Sequence, residues 1–233
     1  PNAYSKAREK TQKILAHNGF KGKVQVKHIK KVILDSSGIH VYYTYSEETY
    51  DNQTISLDSQ ITFNLDWTVN GEEYKTPGHY WESYLQQKSV KKEEQKLFKE
   101  LKKQSLGLDI EDFSFRDNTL IDQEASDNLV RIAKENRKNG KHDFYGYYQI
   151  PYQTMIDEHI VTMSIRVSDT ENTSKKDLEE ATTKLDASKL PDGEYEFYFF
   201  TTDKDNSANY DNSGYISYTF NIQDGKVVQD DDD

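Results

Sequence analysis

The sequence predicts an α+β fold, antiparallel sheets with helices packed on one face, and three observations lead there. Segments of alternating apolar and polar residues recur from Val24 to Ile222. Stretches with helical spacing interrupt them at the start, middle and later part of the chain. Neither half of the 233 residues is long enough for repeated βαβ crossovers, which favours antiparallel pairing. Residues 1–229 read as a single α+β domain, with 106–118, a mixed stretch around Gly107, as the place where two lobes would divide. Residues 230–233 read as an acidic disordered tail.

Each element has a local reason. Tyr4, Ala7, Thr11, Ile14 and Leu15 recur at helical spacing, with Lys6, Arg8, Lys10 and Lys13 on the other flanks, so a helix is expected over 3–17. Asn18-Gly19 stops it, because both residues accept the left-handed conformation. Strands are expected over 23–34, 39–45 and 54–65, the first two joined by the turn residues at 35–38. In the third, Ile55, Leu57, Ile61, Phe63 and Leu65 form the expected buried row.

The period then lengthens. Val90, Leu97, Phe98 and Leu101 mark one helix, and Ala125, Leu129, Ile132 and Ala133 mark a second that Asn139-Gly140 closes. Later strands are expected over 144–150, 159–168, 193–202 and 215–222. A short helix opened by Ser174 and Asp177, a near capping box, lies among them, giving a ββαββ half. In the strand over 159–168, Thr162, Ser164 and Arg166 should face water.

Composition narrows the function. A net charge of −11 argues against a nucleic-acid partner, since phosphate binding requires a positive field. Seventeen Tyr and ten Phe supply a core that the 34% hydrophobic fraction understates. No run of apolar residues is long enough to span a membrane as a helix. Cysteine is absent, which removes disulfides and thiolate chemistry and suits an oxidising exterior. Basic residues are nearly all Lys, and with abundant Asn, Ile and Tyr this bias fits an AT-rich coding genome. The start at Pro1, without an initiator Met, leads us to expect that a targeting segment preceded it.

No nucleotide-binding, serine-hydrolase or zincin motif occurs, and no cofactor is expected. The histidines fall on separate elements, with no local pair at metal-ligand spacing. The acidic loop 203–211 alternates oxygen ligands as a calcium loop does. However, Ala208 replaces the sharp-turn Gly and Gly214 the bidentate Glu, so a polar hairpin loop is expected there, without metal. Lys88 to Lys103 forms a locally basic amphipathic helix, read as a solvated face. Two aromatic clusters stand out: Trp67, Tyr74, His79, Tyr80, Trp81 and Tyr84, and then Phe144, Tyr145, Tyr147, Tyr148 and Tyr152. Rings of this kind pack a core or offer large area with polar tips to a ligand, and the first cluster is the candidate ligand site.

The helix over Tyr4 to His17, the strand entry Gly22-Lys23-Val24-Gln25-Val26-Lys27 and the later Leu190-Pro191-Asp192-Gly193-Glu194-Tyr195 resemble uncharacterised surface lipoproteins of staphylococci and related low-GC Gram-positive bacteria. The resemblance is one of architecture and brings no catalytic residue with it. It implies an exported ectodomain on the outer face of the membrane, held by a lipid tether on an upstream Cys. The expected function is a non-catalytic module that binds an envelope or extracellular ligand. An envelope enzyme acting on wall glycan or peptide is the alternative.

Overall fold

The computed structural model describes residues 2–35, 37–69, 78–169, 173–201 and 214–229, with the side chains of 78–80 outside the description. The loop 203–211, Tyr74 and the tail 230–233 lie outside the described residues. The fold is α+β. The chain forms two compact units, one of residues 1–87 and 132–149, the other of 88–131 and 150–233. The segment 106–118 lies within the second unit.

In the first unit, helix α1 (Ala3–His17) precedes a three-stranded antiparallel sheet of β1 (Lys23–Val32), β2 (Gly38–Glu48) and β3 (Thr54–Phe63) in chain order. Asn2 caps the helix, its Oδ1 accepting from the Ser5 N–H at 2.8 Å. The register sets Ile39 opposite Phe63, Val41 opposite Ile61 and Tyr45 opposite Leu57. One face is thereby apolar, and Ala7, Ile14 and Leu15 of α1 join these residues in the core. A bulge between Val26 and His28 shifts the β1–β2 register and keeps Ile29 opposite Val41 on that same face.

The expected third strand runs two residues too far. Leu65 is 43% exposed, because the strand ends at Phe63 and the chain turns: the Asn64 N–H donates to the Thr68 carbonyl at 2.7 Å. Likewise β1 ends at Val32, leaving Ile33 and Leu34 exposed.

The expected strand over 144–150 is not a strand. Phe144, Tyr145, Gly146 and Gln149 have φ of 46°, 57°, 86° and 61°, which no ladder accommodates. Side chains hold this contorted path: Arg137 Nη1 donates to the Tyr145 carbonyl at 2.7 Å and Asn136 Nδ2 to the Gly146 carbonyl at 2.9 Å. Gly146 is required here, since a Cβ would lie 2.3 Å from the Ala133 carbonyl oxygen. Aromatic residues favour strands by packing on pleated surfaces, but here Phe144 and Tyr148 are buried without any pleat.

The second unit holds a five-stranded sheet of β4 (Ile110–Asp117), β5 (Val161–Val167), β6 (Gly193–Phe200), β7 (Tyr215–Gln223) and β8 (Lys226–Val228), in that order. Helices α2 (Lys88–Lys103), α4 (Tyr152–Asp157) and α5 (Lys175–Lys184) pack against it. Helix α3 spans Gln123–Lys138. Contrary to the all-antiparallel expectation, β5 and β6 are parallel, with Met163 opposite Tyr195, because α5 makes a crossover between them. Ser174 and Asp177 form the capping box that starts α5. Phe113, Phe115, Met163, Ile165, Tyr195, Phe197 and Phe220 fill one face of the sheet.

The Leu190 to Tyr195 segment is explained by its packing. Asp192 accepts from the Asp224 N–H at 2.9 Å, which ties it to the turn between β7 and β8. A Cβ on Gly193 would strike Ile156 Cγ2 at 2.2 Å, and the buried Tyr195 hydroxyl donates back to the Pro191 carbonyl.

The other face of β5 is also not wet. Thr162 and Ser164 are 1% and 5% exposed, with Arg166 alone of the three open to water. Asn118 donates to Thr162, whose hydroxyl donates to Glu194 at 2.9 Å, and Arg116 pairs with the buried Glu196.

Candidate groove between the first helix and the end of the third strand

The amphipathic pattern of α1 fixes which side chains flank the first sheet. Burying Ala7, Thr11, Ile14 and Leu15 turns Lys6, Lys10, Lys13 and His17 onto one flank, since residues three or four apart share a helix face. At the end of β3, the turn over 64–68 sets the opposite wall. Asp66 accepts from both the hydroxyl and the N–H of Thr68, and the Trp67 N–H donates to the Asn64 carbonyl at 2.9 Å. Those bonds from Thr68, its hydroxyl foremost, hold the Asp66 carboxyl below the usual range.

Trp67 has φ of 66°, a left-handed conformation that a bulky side chain rarely adopts. It sets the indole 5.4 Å from the buried Phe63 ring and leaves it half-buried. Lys6 Nζ lies 5.7 Å from the indole centroid, within reach of a cation–π attraction. The result is a groove of about 780 Å³ lined by Lys10, Lys13, Ile14, His17, Phe63, Trp67, Thr68 and Val69. That volume suits a small ligand, and the lining offers a ring face, an apolar floor and cations on one flank.

The three described side chains of the candidate cluster are not brought together as one surface. Trp67 lines the groove, whereas Trp81 and Tyr84 are 1% and 0% exposed in the 3-10 helix over 78–86, which makes them part of the core. Tyr74 and the side chains of His79 and Tyr80 lie outside the described residues. The residues that sequence reasoning passed over are Lys10, Lys13 and His17. Their spacing along the helix was the available signal, but nothing local says what a helix flank faces.

The second aromatic cluster serves packing. Phe144 meets Tyr45 edge-on at 5.7 Å. Glu47 staples the two, accepting from the Tyr45 hydroxyl and, at 2.8 Å, from the Phe144 N–H. Burial raises the Glu47 carboxyl despite these donors, and it pushes the Tyr148 hydroxyl up to about 12. Both Glu47 oxygens are engaged, and Glu47 does not line the groove. Among the described residues no three His, Asp or Glu side chains converge as a metal site would require, and no helix is long and apolar enough to cross a membrane.

No protein-family model, no curated protein and no solved structure matches the chain.

Proposed function

We propose that this chain is a non-catalytic binding module on the extracellular face of a Gram-positive membrane, lipid-anchored through an upstream Cys, which takes its ligand in the groove beside α1. The observation that carries the binding reading is the half-buried, left-handed Trp67 on the wall of that groove. Backbone strain of about 1–3 kcal/mol persists where the surroundings enforce it, and such residues concentrate at ligand clamps. The extracellular reading is supported by the likeness of segments 22–27 and 190–195 to surface lipoproteins, together with the Lys-rich, Cys-free composition.

Two measurements test the two halves. Trp67 and Trp81 are the only tryptophans, and Trp81 is buried, so acrylamide quenching of fluorescence reports chiefly on Trp67. Envelope oligosaccharides or peptides that occupy the groove should protect it, and Trp67→Ala should remove that response with the fold intact by circular dichroism. Protection that survives in Trp67→Ala places the ligand elsewhere. For the location, the protein should fractionate with membranes in its native host and be released when the upstream Cys is replaced. Recovery from the cytosol defeats the surface reading.

A further inference from the structure

The flank of the groove runs against the charge of the whole protein. In a chain of net charge −11, the described lining residues include Lys10 and Lys13 and no carboxylate. Lys6 stands over the Trp67 ring beside them. Of the nearby carboxylates, Asp66 accepts from the Thr68 hydroxyl and N–H, and Glu9 lies in a neighbouring hollow where Arg8, Lys13 and Lys23 outnumber it. Local potential, not net charge, decides what a cleft attracts, and walls of low dielectric concentrate the field of its cations. Lys10 and Lys13 are one turn apart, about 4.5 Å along the helix axis, so both ammonium groups can reach one anionic group. His17 extends the flank by another turn with ring nitrogens that can hydrogen-bond.

The opposite wall asks for something different from an anion. Trp67 sits on Phe63 with part of its indole open, and Val69 continues the apolar wall. A flat ring face of this kind covers an apolar ligand surface at low entropic cost, while its neighbours hydrogen-bond to polar groups at the edge. One ligand unit must therefore combine a compact face of C–H groups, polar edges and a negative charge a few ångströms away. A concave site of about 780 Å³ holds such a unit, whereas a flat bilayer surface cannot enter it.

From this juxtaposition we infer that the groove binds an anionic saccharide, its sugar ring laid on Trp67 and its phosphate or carboxylate held by Lys10 and Lys13. The inference rests on the groove being the ligand site and adds the chemistry of its occupant. Phosphate and carboxylate present the same acceptor oxygens to the two ammonium groups, so either source satisfies the geometry.

Calorimetric titration of the purified chain at low ionic strength tests it with four probes: oligogalacturonate, a phosphorylated oligomannose, neutral maltohexaose and vesicles containing phosphatidylglycerol. At least one of the two anionic saccharides should bind, and which one does identifies the charged group. Affinity should fall about tenfold in Lys10→Ala/Lys13→Ala, about tenfold in Trp67→Ala, and further as salt is raised to physiological strength, because screening acts on exposed charges. Maltohexaose should bind at least tenfold more weakly. Both lysines are exposed, so the double variant should keep its melting temperature, and Trp67→Phe should retain most of the affinity if the ring face is what is read.

Equal binding of neutral and anionic saccharides, weakened by Trp67→Ala but not by the lysine variant, overturns the inference and leaves the groove standing as a binding site. Binding of vesicles but of neither saccharide overturns it in favour of a lipid surface. No binding by any probe overturns it too, and the quenching experiment with envelope material then decides whether the groove is a site at all.

Discussion

The two sheets of this protein solve the same problem, burying one face, in different ways. In β1–β2–β3 the outward side chains meet water: Tyr42, Ser56 and Gln60 are exposed, and the Thr44 hydroxyl reaches Asp58 at 2.6 Å in the open. In the five-stranded sheet the central strands are covered on both sides, so Thr162, Ser164 and Glu196 are buried polar residues. Chain-order antiparallel pairing leaves a free face in the first. A crossover through α5 and a parallel pair at the centre characterise the second, as is typical of strands covered on both faces. The difference teaches that alternation specifies a sheet fully only when one face is wet. When both faces are covered, the polar members of the pattern become a hydrogen-bonded network.

That contrast can be broken where it is strongest, at Arg116 and Glu196. The Glu196 side chain is 3% exposed and its partner 39%, so Arg116→Ala leaves a buried carboxylate unpaired. We expect a loss of about 2–4 kcal/mol in urea unfolding, below the upper range for buried pairs because water reaches the arginine. A loss under about 0.5 kcal/mol would mean that the pair is solvated and the second face open.

A matched pair of substitutions sharpens the same point. Thr162→Val removes a buried hydroxyl that links Asn118 and Glu194, and should cost about 1–3 kcal/mol because both partners lose a bond. Thr44→Val in the first sheet removes only an exposed bond to Asp58, and should stay within about 0.5 kcal/mol. Equal losses by thermal unfolding would erase the distinction between the sheets.

The smallest effect is a pH dependence in the first unit. The Glu47 carboxyl is raised by burial, so the native state holds this proton more tightly than the unfolded chain does. Its contribution to stability is therefore full below the unfolded value of about 4.3 and falls as pH rises through the higher native value. Glu47→Gln should remove that slope, so wild type should lose stability relative to the variant as pH climbs through this window. A flat difference between the two across the window would show that the staple is solvated.

The sequence carried the α+β class, helix α1 and its stop, and the alternating row from Ile55 to Phe63, because these depend on neighbours along the chain. Side-chain period and capping chemistry act over a few residues, and the capping box at Ser174 and Asp177 is of this kind. Trp67 was likewise legible as an aromatic residue past the end of the third expected strand. That Trp81 and Tyr84 would be buried was not, since the same ring chemistry serves core and surface alike.

What tertiary structure alone decided is which surfaces meet. The left-handed run at Phe144 to Gly146 exists because Glu47, Asn136 and Arg137 supply bonds that a strand would otherwise have provided. The parallel pairing of β5 and β6 depends on where α5 returns the chain. Lys10 and Lys13 face Trp67 only because α1 packs beside the end of β3, more than fifty residues away along the chain. Local sequence sets the shape of each element within a few residues. The choice of neighbours is made by the free energy of burying whole faces together, which no single segment contains.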